Sequence, residues 1–190
     1  KPALTLGGAG DVFPVYRRFA PFDYYGRPLK PWQGSEDLSA KVYLGWDGEA
    51  LCVAAEVTDE RHVNTNAGNG ISSGDALQMG LVTADGAHWS VGAALTRAGV
   101  AFHQWEGKGD TLVKTAGCAV ARDGKAGITR YELRLPLAAL GLKPGEEFGF
   151  NIVCRDSDDD GSGQLYWLQL APGLTPPVNT KLYPRLVLAR

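Results

Sequence analysis

The sequence predicts an all-β fold: an antiparallel, jelly-roll-like β-sandwich forming a single domain over residues 1–190. Three observations carry that prediction. Apolar and polar residues alternate with period 2 along most of the chain. The apolar runs are short and separated by turn signals, in a chain with 25 Gly and 11 Pro. No long stretch has the 3.6-residue period of a helix, which argues against an α/β enzyme fold.

The elements follow in order. Residues 1–35 are rich in aromatics and Pro and read as a first strand plus an extended segment packed over the sandwich. Residues 41–46 alternate and end at Asp47-Gly48, and residues 51–57 follow after a short turn, so the two read as a hairpin. Residues 59–74 form a polar loop containing Arg61, His62, Asn64, Asn66 and Asn69; loops of that length are often functional. Strands are expected at 75–82, 88–95 and 100–105, then a pair at 118–122 and 129–135, with Tyr131, Leu133 and Leu135 on one face. Residues 137–140, with Pro136 before and Gly141 after, suit one helical turn. Strands at 148–154 and 165–170 follow, and residues 182–188 close the sheet.

Bulk properties narrow the function. The chain is 44% hydrophobic and 21% charged, with net charge −2, so nothing in its charge favours nucleic acid or an anionic membrane surface as partner. No apolar run reaches the roughly 18 residues of a membrane helix. The start at Lys1-Pro2, without Met, suggests an excised domain or a mature chain. Cys52, Cys118 and Cys154 are odd in number and widely spaced, with Cys52 and Cys154 inside apolar runs, which favours free thiols over a disulfide. His62, His88 and His103 lack the spacing of a histidine metal site, and no nucleophile elbow, phosphate loop or dinucleotide fingerprint occurs. No pair of carboxylates stands out as catalytic.

Four segments together resemble the family 9 carbohydrate-binding modules of bacterial polysaccharide-degrading proteins. They are residues 42–59 with Trp46-Asp47 and a closing Asp59; Gly74-Asp75-Ala76-Leu77-Gln78; Tyr131-Glu132-Leu133-Arg134-Leu135-Pro136-Leu137; and Phe148-Gly149-Phe150-Asn151-Ile152 followed by an acidic loop and Trp167. The resemblance implies a jelly-roll-like sandwich, carbohydrate binding without catalysis, structural calcium, and a monomeric module in a secreted, cell-surface or periplasmic multidomain protein. Gln78 takes the position of a family ligand-contacting Glu. The family's paired sugar-stacking tryptophans have no counterpart in residues 69–73 or 176–181, so a ligand surface here is built differently.

The residues themselves suggest two sites. Asp156, Asp158 and Asp160 alternate before Gly161, a pattern that wraps oxygens around a hard cation, and Asp59 is positioned to donate from a neighbouring strand end; the alternative is a solvated acidic turn. For a glycan, exposed aromatics supply stacking surface, and Trp105 and Trp32 are the candidates taken forward, with Tyr24, Tyr25 and Trp89 also considered. Gln78, Arg61, His62, Asn64 and His103 are candidate partners for sugar hydroxyls. A second reading is a haem b domain of the same fold, with Met79 as the axial ligand; a lone strand Met is more often core filler. A third is a structural or interaction domain that has lost sugar binding.

Overall fold

The computed structural model describes residues 4–6, 12–14, 32–158 and 166–188. It is an antiparallel sandwich of a five-stranded and a seven-stranded sheet. The strands are β1 (Leu4–Leu6), β2 (Val12–Pro14), β3 (Leu38–Trp46), β4 (Ala50–Asp59), β5 (Ala76–Val82), β6 (His88–Thr96), β7 (Gly99–Glu106), β8 (Gly117–Asp123), β9 (Ile128–Pro136), β10 (Glu147–Asp156), β11 (Tyr166–Gln169) and β12 (Arg185–Val187). The first sheet runs β1-β3-β4-β9-β8; the second runs β2-β11-β10-β5-β6-β7, with β12 also paired to β10. Two single helical turns, α1 (Thr111–Thr115) and α2 (Leu137–Leu140), join them.

Alternation sets the faces. In β9, Tyr131, Leu133 and Leu135 point inward and are almost fully buried, while Arg130, Glu132 and Arg134 face out. From the other sheet Leu77, Met79, Leu81, Phe148, Phe150 and Ile152 meet them in one core. Burial of each such side chain contributes about 1.5–3 kcal/mol. The β3–β4 hairpin turns at Asp47-Gly48: the Asp47 carboxylate accepts the N–H groups of Glu49 and Ala50 (3.0 and 2.9 Å), and Gly48 takes φ 94°. The turn α2 ends on Gly141 in the left-handed region, φ 74°.

Strand β5 departs from alternation, being buried along its whole length. Its outer face is covered from two sides. Val82, Val153 and Trp167 pack with Leu174 and Tyr183 of the 170–184 loop. Ala76 and Ala94 pack with Ile71 of a 3-10 turn, Gly68–Ser73, inside the long polar loop. The short helical elements α1 and the 3-10 turns at Gly68–Ser73 and Thr180–Leu182 escape the sequence reading, while the expected closing segment contains a three-residue strand, β12, paired to β10. The three cysteines are free thiols. Among the described residues no helix is long and apolar enough to cross a membrane.

Candidate functional site

Strand ends from both sheets meet at one rim of the sandwich. Asp59 closes β4, Asp75 precedes β5, and Asp156 closes β10 with Asp158 just after it; each is under a tenth exposed. Ligand atoms of Asp59, Asp156 and Asp158 lie within 4.8 Å of one another, as do those of Asp59, His62 and Asp75, and of Asp37, Glu60 and Asp158. Burial, with Asp158 and Glu60 adding repulsion, pushes the Asp59 carboxyl up to about 6 against the pull of the Arg61 N–H and Arg122. Burial and the charges of Asp59 and Asp156 raise Asp75 well above the carboxylate range. Like charges gathered out of water repel strongly, so the rim holds several acids close together at a cost that a hard cation would remove.

Asp75 is also a structural clip. Its oxygens accept the backbone N–H of Ser157 (2.7 Å) and of Val63, tying the start of β5 to the end of β10 and to the long loop. Arg122 bridges from β8, donating to the Asp59 carbonyl (2.7 Å) and lying 3.5 Å from its carboxylate. His62 Nε2 is 2.9 Å from the Leu95 carbonyl, which makes Nε2 the protonated nitrogen and leaves Nδ1 facing Asp59 and Asp75 at 3.8 Å each. Burial lowers its pKa, so the ring is neutral at physiological pH.

Asn64 holds the long loop from inside. Its side-chain amide donates to the Ile71 carbonyl (2.8 Å) and the Asp75 carbonyl (3.0 Å), and its oxygen accepts the Asn66 N–H (3.1 Å). Gly74 has no room for a side chain, since a Cβ there would sit 2.8 Å from the Val63 carbonyl oxygen. The loop is thereby packed against the sheet, and its 3-10 turn reaches β7.

The outer face of the seven-stranded sheet carries the second cluster. Register aligns Gln78 on β5, Gly92 on β6 and His103 on β7 in one row. The Gln78 oxygen accepts from Arg155 Nε (3.0 Å) and Nη2 (2.6 Å), and its amide donates to Ser90 (3.0 Å). The Arg155 guanidinium lies 5.6 Å from the centre of the Trp167 ring, and burial draws its pKa down to about 10. Trp105 lies across Gly92, where a Cβ would come within 2.7 Å of the indole. Its Nε1 donates to the Asn69 carbonyl of the 3-10 turn (2.9 Å), and His103 meets it edge-on at 5.1 Å between ring centres. The indole is half-buried and held in place before any ligand arrives.

Of the residues singled out from sequence, Gln78, His103 and Trp105 share this face. Asp59, Asp156 and Asp158 meet at the rim, joined by His62. Asn64 is buried beneath the long loop, and Arg61 is exposed beside the rim. Trp32 packs against the core with Nε1 donating to the Leu38 carbonyl (2.9 Å). Met79 is fully buried in the core. Asp160, Tyr24, Tyr25 and most of residues 1–35 lie outside the described residues. Sequence reasoning missed Asp75, Asp37 and Glu60 at the rim, and Arg155, Ser90 and Trp167 on the sheet face. Asp75 carried a signal, as the acid of Gly74-Asp75 at a strand start; Arg155 and Ser90 carried none.

No protein-family model matches the chain, and no curated protein matches it. Solved structures do. The fold matches a family 9 carbohydrate-binding module from Caldicellulosiruptor kristjanssonii in complex with cellotriose, at TM-score 0.63 and 18% identity over 80% of this chain and 75% of the other. The structure of a family 9 module from that organism in complex with glucose gives TM-score 0.64 and 18% identity over 80% and 77%. At that identity the likeness establishes a shared fold.

Proposed function

We propose that this chain is a non-catalytic carbohydrate-binding module of a larger secreted bacterial protein acting on polysaccharide, and that it holds glycan on the outer face of the seven-stranded sheet. The observation that carries the reading is Trp105, a half-buried indole held against Gly92 by its bond to Asn69, with His103 edge-on to it. A rigid aromatic plane offers the apolar face of a pyranose a surface at little entropic cost, and the adjoining polar groups meet its hydroxyls. Gln78 is only 7% exposed, so its role is to orient Ser90 and Arg155 from below. The solved relatives hold cellotriose and glucose, which supports a carbohydrate ligand on this fold. Attachment of such a module raises the local concentration of its parent protein on the polysaccharide.

Calcium belongs to the same proposal. The rim offers buried carboxylate oxygens, the hard donors that Ca²⁺ takes, and their mutual repulsion fits a bound cation. Asp59, Asp156 and Asp158 would hold it, and it would tie the two sheets together at their strand ends. Titration calorimetry of the protein against a glycan panel, with Trp105→Ala alongside, tests the binding reading. Heat of binding to at least one neutral glycan, lost in the variant, is expected; silence across plant, algal and mucin glycans overturns it.

A further inference from the structure

The outer face of the five-stranded sheet carries a groove of about 590 Å³, on the opposite side of the sandwich from Trp105. Sites for small ligands span about 300–1,000 Å³. Register builds it from two rows of outward residues: Tyr43, Ala54, Glu132 and Ala119 in one, and Gly45, Cys52, Arg134 and Gly117 in the next. The small side chains leave the space. Tyr43 forms a wall, its hydroxyl donating to Glu56 one row away (3.4 Å).

The charges within the groove are unequal. Arg134 is held by two acids, Asp47 (3.0 Å) and Glu49 (3.1 Å), leaving that group one negative charge in excess. In the neighbouring row Arg130 and Glu56 balance each other at 3.2 Å, and exposed Lys41 adds one positive charge beyond the groove's lining, which leaves the excess inside the groove negative. Glu132 stands exposed in the middle of the groove with no described residue bonded to it. The groove therefore presents an apolar floor, an aromatic ring and a net negative charge. An acidic or sulfated sugar is repelled there. A ring with an apolar face and an ammonium group is matched on each count: the floor takes the face, Glu132 takes the ammonium, and the Tyr43 ring attracts the cation.

We propose that this groove is a second ligand site, for a pyranose bearing a protonated amine. Because the two sites lie back to back, one module joins two separate glycan chains. The test titrates the whole chain with a glucosamine oligosaccharide, following amide chemical shifts. Shifts are expected on β4, β8 and β9, with affinity falling about tenfold in Glu132→Gln and falling with added salt. Trp105→Ala should leave this affinity unchanged, which separates the groove from the site on the other sheet. Glu132 is exposed, so its variant keeps the fold, checked by far-ultraviolet circular dichroism. The proposal is overturned if the oligosaccharide does not bind, if Glu132→Gln binds it equally, if cellotriose binds the groove as tightly, or if Trp105→Ala abolishes the shifts.

Discussion

If the rim holds calcium as proposed, chelating it leaves Asp59 ionised and buried beside Asp75 at neutral pH. Folding raises the Asp59 carboxyl from 3.8 to about 6. A raised pKa means that the folded state binds the proton more tightly than the unfolded state. The stabilising term is therefore fully present below 3.8 and is lost as pH rises through about 6. The whole shift corresponds to about 3 kcal/mol, and the part recovered between pH 7.5 and pH 5 to about 1.4 kcal/mol. His62, His88 and His103 act oppositely below their ordinary pKa, since burial lowers all three, so the readout is a difference. Asp59→Asn mimics the protonated acid. In EDTA at pH 7.5 it should exceed the wild type by up to about 3 kcal/mol, or about 6–12 °C in Tm for a domain of this size. At pH 5 the advantage should shrink by about half. With calcium at about a hundred times its Kd, the wild type should gain about 2.7 kcal/mol at pH 7.5 and the variant far less. Thermal melts at both pH values, with EDTA or calcium, read all four arms. A variant less stable than the wild type in EDTA at pH 7.5, or one that gains equally from calcium, would refute the reasoning.

Three further outcomes follow from single contacts. Gly92→Ala places a Cβ 2.7 Å from both the Leu77 carbonyl oxygen and the Trp105 ring, so it should cost about 1–3 kcal/mol in denaturant melts and displace the indole, weakening glycan binding on that face. Asn64→Ala strips the carbonyls of Ile71 and Asp75 of their donor; a loss of about 2 kcal/mol is expected, with faster amide exchange confined to residues 59–74. In the native protein a thiol reagent at pH 8 should label Cys52, which faces the groove, well before Cys118 and Cys154, whose thiols burial pushes up to about 11 and about 12; equal labelling of all three would count against the packing.

The architecture was legible because its signal is local. Alternation in residues 129–135 assigns Tyr131, Leu133 and Leu135 to the core wherever the strand sits, since successive side chains must take opposite faces. Asp47-Gly48 fixes a hairpin, and Pro136 with Gly141 brackets a helical turn, for equally local reasons. Strand β5 does not obey that logic: alternation puts Gln78 and Gly80 on the outer face, yet Arg155, Tyr183 and the 170–184 loop cover them.

The sites divide in the same way. The sequence by itself determined the sandwich, the acidic run after residue 155 and the presence of an aromatic at 105. Only the tertiary structure decided that Asp59, Asp75, Asp156 and Asp158 share one rim, because register and sheet packing bring together strand ends far apart in the chain. Packing likewise laid Trp105 over Gly92, set Arg155 on Gln78, and left Glu132 alone in a groove floored by small residues. Periodicity specifies which face a residue takes; which residues meet on that face depends on strand order and register, which no local pattern encodes.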